Sequence, residues 1–393
     1  MVHKLLNNVK SFDQYRKKTV AFIFNHSFYL GGGEISFFEF IRSLDQNRFE
    51  PIIIVPNNGE IEKELTSLNF QVFVNPILSI KKMFSGLPII HLLRIINILK
   101  NNSVDIIHVN GSRACAYGGV SGRLLGIPVI WHVRETINDF LLYDGLLALL
   151  SSAIISVSSG VQSKRFTRFG QRIKTKTNIV YNGIDTHKFR RNSTARYEFR
   201  RNLKVDEHIL LFGIAGNILP LKGHDFFLKA FAQAKDRCFN LAAKILIIGR
   251  PLDSEFDKEI HQLVMDMNLE DDVVFLGHSK NMLAILSALD VFLLPSQREG
   301  FSRSLLEAMS VGLPVLATRI DEIEEAVTDG ENAILVNYND VNAMAAAIVK
   351  LAEDEQLREK MGKANRKRVV QKFDLASHTK AIQNIYSRLS IQK

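Results

Sequence analysis

The chain has 393 residues, 46% hydrophobic and 23% charged, with 50 Lys and Arg against 41 Asp and Glu for a formal net charge of +9. That length predicts two domains with substantial cores, and the composition excludes a disordered or low-complexity protein. Its two cysteines, Cys115 and Cys238, exclude a disulfide framework beyond one bridge and fit a reducing cytosol.

The N-terminal MVHKLLNNVKSFDQYRKK lacks the apolar centre of a signal peptide. The most apolar runs are interrupted too early to cross a bilayer, by His91 and Arg94 in 85–99 and by Asp144 just before 146–157. The expectation is a cytoplasmic protein, soluble or lying on a surface. Charge is uneven: residues 1–190 hold 23 Lys and Arg against 13 Asp and Glu, and the remainder is nearly neutral. A basic half suits anionic lipid or nucleic acid.

In chain order, the spacing of apolar runs predicts strands at 19–24, 51–55, 71–74, 105–109, 128–132, 153–157 and 177–180, with helices between most of them. Such alternation implies a mainly parallel sheet covered on both faces. The first strand, TVAFIF, runs into a loop carrying Gly31, Gly32 and Gly33 before a helix starting near Glu34. Three glycines let the backbone approach a phosphate or sugar closely, although a flexible turn is the commoner meaning. The spacing is neither a dinucleotide fingerprint nor a P-loop.

Segment 79–100, SIKKMFSGLPIIHLLRIINILK, has four cations and no acid. It reads as a helix lying on an anionic membrane surface, or as a buried helix with solvated cations. No nucleic-acid motif accompanies the charge, so lipid ranks above nucleic acid, which is not expected as a partner. The strand ending in WHVRET places His132, Arg134 and Glu135 at its carboxyl end. His132 there is either a structural residue or a donor to a sugar hydroxyl or a developing charge.

The polar stretch 190–204 reads as the crossing into a second domain, giving 1–190, 191–374 and a C-terminal helix in 375–393 as the expected organisation. Strands resume at 208–215, 243–248, 273–276, 290–294, 313–317 and 333–336. The fold class is therefore α/β, with two doubly wound domains facing across a cleft, and ligands in such folds bind beyond the carboxyl ends of the strands. In GIAGNILPLKGHDFFLKAF, Lys222 precedes a helix and offers a point charge for a diphosphate, or is simply solvated.

The most informative stretch is REGFSRSLLEAMSVGLPVLAT, 298–318. It places Glu299 before a helix, Ser302, Arg303 and Ser304 at its first turn, and Glu307 inside it. A helix start is an anion site, because its first amides have no partners and its dipole is positive there. Two flanking carboxylates can then hold hydroxyls on either side of a bound phosphate, as a nucleotide-sugar requires. The alternative is local: Ser304 and Glu307 also match a capping box. No His or Cys pair has metal-ligand spacing, and no nucleophile elbow of a serine hydrolase is present.

Taken in order, GGGE at 31–34, WHVRE at 131–135, VYNGID at 180–185, GNILPLKG at 216–223, VVFLGH at 273–278, the 298–318 segment and EAVTDGENAILV at 325–336 resemble glycosyltransferase family 4. The resemblance implies the GT-B fold of two Rossmann-like domains. It also implies retaining transfer of a sugar from a nucleoside diphosphate donor, with no metal and no cofactor. By position, Glu307 would bind ribose hydroxyls, Lys222 the diphosphate and Glu299 the donor sugar. Backbone near Phe301, Ser302 and Arg303 would face the donor, Gly32 and Gly33 would close over the diphosphate, and His132 would sit beside the transferred sugar.

The C-terminal helix, about 375–389, would cross back onto the first domain. Asn217 stands where many members have an arginine, so Arg250 and Arg303 are candidate replacements for a missing phosphate cation. RIDEIEE at 319–325 replaces the usual glycine pair; Glu325 matches by position, and its role stays open. The expected function is a cytoplasmic, membrane-associated transferase that acts on a lipid-linked glycan acceptor at the inner face of the membrane. It would serve cell-surface polysaccharide, lipopolysaccharide, capsule or glycolipid synthesis. The alternatives are a nucleotide-sugar epimerase, a glycogen-type synthase, or a non-catalytic binding protein on the same fold.

Overall fold

A computed structural model describes residues 16–78, 87–135, 141–238 and 241–391. Within them the chain forms two parallel sheets. The first comprises β1 (Lys18–Ile23), β2 (Phe49–Val55), β3 (Gln71–Val74), β4 (Ile106–Asn110), β5 (Val129–Val133), β6 (Ala153–Ser156) and β7 (Thr177–Ile179), in the order β3-β2-β1-β4-β5-β6-β7. The second comprises β8 (Leu210–Ala215), β9 (Ala243–Ile248), β10 (Val273–Gly277), β11 (Val291–Leu294), β12 (Val315–Thr318) and β13 (Ala333–Val336), in the order β10-β9-β8-β11-β12-β13.

Every strand expected from the sequence is present, with ends shifted by a residue or two. The central strands are buried at every position, as in β4, β5, β11 and β12. Helices on both faces demand that, which is why these strands read as unbroken apolar runs rather than alternating ones. Each half is thus a doubly wound Rossmann-like domain. Each sheet reverses its strand order once, between β1 and β4 in the first and between β8 and β11 in the second. At those points the chain leaves in opposite directions and a crevice opens beyond the carboxyl ends of the strands.

The chain divides into two compact units, one of residues 1–157, 161–180 and 379–393, the other of 158–160 and 181–378. The polar stretch 190–204, read from its composition as a crossing, is a helix of the second unit, Ser193–Asn202. Its Arg200 is fully buried and donates to the carbonyls of Ala288 (3.0 Å) and Asp206 (2.6 Å) and to the Asp290 carboxylate (3.1 Å). A guanidinium whose terminal nitrogens donate to carbonyls and a carboxylate can be buried, and sequence polarity conceals that. The passage between units instead falls at 180–181. Beyond it the Ile184 amide donates to Phe373 O (2.8 Å), and the Leu375 amide donates to Ile184 O (2.9 Å).

The C-terminal helix, Leu375–Ile391, belongs to the second unit for its first turn and to the first unit from Thr379. There Ile382, Ile385 and Tyr386 join the core built by Phe22, Phe40 and Phe49. Residues 1–15, most of the N-terminal segment expected to lack a signal peptide, and the cations Lys81 and Lys82 lie outside the described residues.

In the second unit the helix Arg303–Val311 is fixed at both ends. Ser302 caps its start by accepting from the Leu305 amide (3.3 Å), and Gly312, with φ of 85°, ends it in a left-handed turn. The helix Glu355–Lys372 packs behind it. Arg366 donates to Ser310 O (2.7 Å) and Phe189 O (3.0 Å), and Asn365 to Leu313 O (2.8 Å). Gly362 makes this approach feasible, because a Cβ there would lie 2.2 Å from Gly312 O. Helix propensity alone favours Gly→Ala by up to about 1 kcal/mol. Gly362→Ala is expected to do the reverse, destabilising the second unit by about 1–3 kcal/mol through overpacking, as measured by urea unfolding.

Candidate functional site

In the second unit three segments meet at the reversal point between β8 and β11. The first is the turn after β8. Gly216 donates to Ile248 O (2.8 Å) and Ile218 to Arg250 O (2.9 Å), so this turn runs alongside the end of β9. The approach is very close: a Cβ on Gly249 would lie 1.9 Å from Gly216 O. The second segment is the short 3₁₀ turn Pro220–Lys222, ended by Gly223 at φ 69°. Only glycine fits there, since the conformation is left-handed and a Cβ would also meet Pro295 O at 2.1 Å. This contact seats the Lys222 turn on the end of β11.

The third segment is 296–307, which leaves β11 and enters the helix Arg303–Val311. Ser304 Oγ donates to Ala215 O (2.9 Å), fastening the helix start to the end of β8. Among the described residues no backbone acceptor engages the amides of Ser302, Arg303 or Ser304. The positive end of the helix is therefore open, as anion binding requires.

Both glutamates are buried, and each is held by its own cation. Lys222 Nζ lies 2.6 Å from Glu299 Oε1, with side-chain exposures of 27% and 8%. Arg303 Nε lies 2.8 Å from Glu307 Oε1, with exposures of 7% and 8%. The capping-box alternative does not apply, because Ser302 rather than Ser304 is the cap and Glu307 is turned onto Arg303. Arg303 gives its Nε to Glu307, while its Nη1 is buried with no hydrogen-bond partner among the described residues. Arg250 is different: among the described residues no hydrogen bond or ion pair engages its side chain. Its carbonyl contact with Ile218 places it beside Asn217, where the sequence lacks a cation.

Phe301 is buried against Tyr181 (ring centroids 4.9 Å) and Phe373 (5.4 Å), and its carbonyl accepts from Asn182 Nδ2 (2.8 Å). Ser158 Oγ donates to Gly300 O (2.9 Å), so the loop before the helix is pinned on both sides. Glu325, whose role the sequence left open, uses both oxygens to accept the amides of Ser159 (2.8 Å) and Gly160 (2.9 Å) in the same unit. It acts here as a clasp for that segment.

In the first unit the reversal point lies between β1 and β4. Gly31, extended at φ −167°, precedes the helix Gly32–Arg42, so no left-handed turn calls for glycine there, and a Cβ on Gly31 would meet nothing within 4 Å. Gly33 faces Arg134, whose Cδ would lie 3.2 Å from a Cβ there. His26 accepts from Arg113 Nη2 at Nε2 (2.8 Å) and meets Glu34 Oε1 at Nδ1 (2.9 Å), a polar cluster the sequence reading did not find. It joins a loop residue to the first turns of two helices, and no local spacing signals it.

His132, read from its strand end as either a structural residue or a donor, is fully buried. Its ring lies parallel to that of His108 (centroids 5.3 Å, 14° between planes), with Nδ1 3.2 Å from His108 Nε2 and 3.4 Å from Arg134 Nη2. Arg134 also donates through Nε to Asn110 Oδ1 (2.8 Å).

The same unit carries an exposed apolar face. Helices Leu87–Asn101, Ser112–Leu125 and Leu141–Leu150 pack side by side. They expose Ile89, Ile90, Leu93, Leu124, Leu142, Leu146 and Leu149, with Leu142 at 89%. Arg123 and Leu149 border one recess. Among the described residues of these helices the single acid, Asp144, is buried and paired with Arg165 (2.8 Å), whereas Arg94, Lys100, Arg113 and Arg123 are all cations. No helix among the described residues is long and apolar enough to cross a membrane.

Two family models match the chain in succession: Glycosyltransferase Family 4 over residues 30–188 and Glycosyl transferases group 1 over residues 195–368. The capsular polysaccharide biosynthesis glycosyltransferase CapM of Staphylococcus aureus is 26% identical over 363 residues, covering 89% of this chain and 92% of that protein. A UDP-Gal:α-D-GlcNAc-diphosphoundecaprenol α-1,3-galactosyltransferase of Escherichia coli is 25% identical over 318 residues, covering 77% and 80% respectively. Among solved structures, Anabaena HepE in complex with UDP and glucose superposes with a TM-score of 0.83 at 21% identity, covering 95% of this chain and 100% of that one. That likeness establishes the same two-domain GT-B fold.

His224, which follows Gly223 and opens the helix His224–Arg237, gives the site a pH signature. Burial, and secondarily the Lys222 ammonium, lower its pKa to about 4, only partly opposed by Asp225 and the Leu219 backbone. The unfolded chain takes up this proton near pH 6.5 and the folded chain only near pH 4, so stability falls as pH drops through that window. His224→Gln removes the effect. The wild-type loss of unfolding free energy between pH 7 and 4.5 is expected to exceed the variant's by about 2–3 kcal/mol in urea titrations.

Proposed function

Because the chain belongs to the family 4 glycosyltransferases, we propose that it is a retaining enzyme of cell-surface polysaccharide or glycolipid synthesis. It moves a sugar from a nucleoside diphosphate donor to a hydroxyl of a lipid-linked glycan acceptor. The observation that carries this reading is the open start of the helix Arg303–Val311, flanked by two buried glutamates that each hold a cation at the β8/β11 reversal point. The names of the staphylococcal and Escherichia coli relatives, and the UDP and glucose bound by the Anabaena protein, support the donor and acceptor classes.

In this reading Glu307, oriented by Arg303, accepts hydrogen bonds from the ribose hydroxyls, as fits a side chain that is buried and held in place. Lys222, Arg250 and the amides of Ser302, Arg303 and Ser304 receive the diphosphate. They supply the positive charge that the leaving group needs without a metal ion. Arg250 takes the place of the cation absent at Asn217. Glu299 binds hydroxyls of the donor sugar. Gly32 and Gly33 offer backbone that reaches the diphosphate without side-chain obstruction, and His132 donates to the transferred sugar. The acceptor attacks from the face that the diphosphate leaves, and a diphosphate oxygen takes the acceptor proton as the glycosidic bond forms.

The acid-free face of helices Leu87–Asn101, Ser112–Leu125 and Leu141–Leu150 rests on the anionic leaflet that carries the acceptor. The enzyme then works from the cytoplasm, peripheral to the membrane, with no nucleic-acid partner.

Glu307→Ala is expected to weaken binding of UDP- or GDP-sugars by roughly 10–100-fold, the loss of a charge-assisted hydrogen bond, by calorimetry. Wild-type affinity in that variant refutes the ribose role. Arg250→Ala should lower kcat about tenfold or more with the fold intact by circular dichroism. For the membrane, the triple change Leu142→Ser, Leu146→Ser and Leu149→Ser should abolish co-flotation with vesicles containing anionic phospholipid. The wild type should float with those vesicles and not with purely zwitterionic ones.

A further inference from the structure

We infer that Tyr386 and His108 are positioning residues that fix the tautomer of His132, so that its Nε2 carries the proton. His108 lies on β4 and His132 on the neighbouring β5, both fully buried. Tyr386 reaches them from the C-terminal helix, its hydroxyl 2.5 Å from His108 Nδ1. His108 Nε2 is 3.2 Å from His132 Nδ1, and Arg134 Nη2 is 3.4 Å from the same nitrogen.

The guanidinium fixes the direction of the whole chain. It has donors and no lone pair, so the His132 Nδ1 that it faces must be the acceptor. The proton of neutral His132 is then on Nε2. His108 Nε2 donates to His132 Nδ1, which leaves His108 Nδ1 as an acceptor, and the Tyr386 hydroxyl supplies that donor. Burial raises the Tyr386 pKa well above its ordinary value, so the phenol keeps the proton this arrangement needs. In this arrangement every hydrogen bond runs one way, from Tyr386 through His108 to His132. Phe22, Phe37 and Phe40 pack against the His108 ring and hold it in plane for both bonds.

The second-layer partner of a catalytic histidine commonly sets its tautomer. Here that partner is another histidine, oriented in turn by a helix whose first turn belongs to the other unit. The role in transfer rests on the function proposed above; the tautomer itself does not.

The test uses full-length protein labelled with 15N-histidine, long-range 1H–15N correlation spectra, and a His132→Gln variant to identify the His132 signals. The expected wild-type pattern is an unprotonated Nδ1 and a protonated Nε2. Tyr386→Phe keeps the packing and removes the terminal donor. It is expected to give His132 mixed tautomers and a kcat lower by about tenfold or more, with KM for the donor unchanged within about twofold. A wild-type His132 protonated at Nδ1 overturns the inference even if the variant fails to fold. So does a Tyr386→Phe protein that keeps both the single tautomer and the wild-type kcat. A protein with the expected tautomers and no transfer to any acceptor counts against the proposed function and leaves the relay standing.

Discussion

Glu307 cannot be buried alone. With a side-chain exposure of 8% and no ammonium or guanidinium beside it, its ionised form would carry a desolvation penalty of several kcal/mol. Arg303, one turn earlier on the same helix, makes its place tenable, and that constraint propagates outward. The helix must begin where Arg303 can reach back along it, which puts the cap at Ser302. Ser302 as cap leaves Ser304 to fasten the helix to Ala215 at the end of β8. The β8 end is in turn fixed against β9 by glycines that tolerate backbone contact. A buried ion pair is weak evidence for stability, since an apolar pair of the same shape often serves as well. Its persistence at an open helix start is better understood as orientation of an acceptor carboxylate.

The fold was largely legible because its signals are local. A parallel sheet buried on both faces writes each strand as an apolar run, and Gly312 followed by Pro314 marks the end of the site helix at sequence level. Lys222, Glu299 and Glu307 were legible as candidates for the same reason, each lying next to a turn that the strand–helix pattern fixes. What they touch was not. Glu299 and Lys222 are brought together by the order of β8 and β11, and Arg303 could be read equally well as a phosphate ligand or as the partner of Glu307.

The misread segments follow a common rule. Residues 190–204 read as a crossing because arginines usually mark solvent, yet Arg200 is among the most completely buried side chains, its charge dispersed over three carbonyls and Asp290. His132, at a strand end, read equally as a structural residue or as a donor. His108 and Tyr386, which draw it inward, lie far from it in sequence or on a separate helix. The three-helix apolar face was visible in one third only, since leucines in Leu141–Leu150 give no sign in sequence of which ones the core leaves out.

The two ion pairs differ in a way that bears on the proposed chemistry. Arg303 and Glu307 are almost equally buried and lie on one helix, so the pair is a fixed unit. Lys222 is more than three times as exposed as Glu299 and comes from a separate turn. Under the proposed function, an incoming diphosphate would compete with Glu299 for that ammonium. The lysine would then turn to the phosphate while the carboxylate would take sugar hydroxyls in exchange. Lys222 would stay paired through that exchange, and Glu299 would trade its cation for hydroxyl donors. Arg250, unpaired beforehand, is the one cation whose interaction with the diphosphate is not offset by a bond given up.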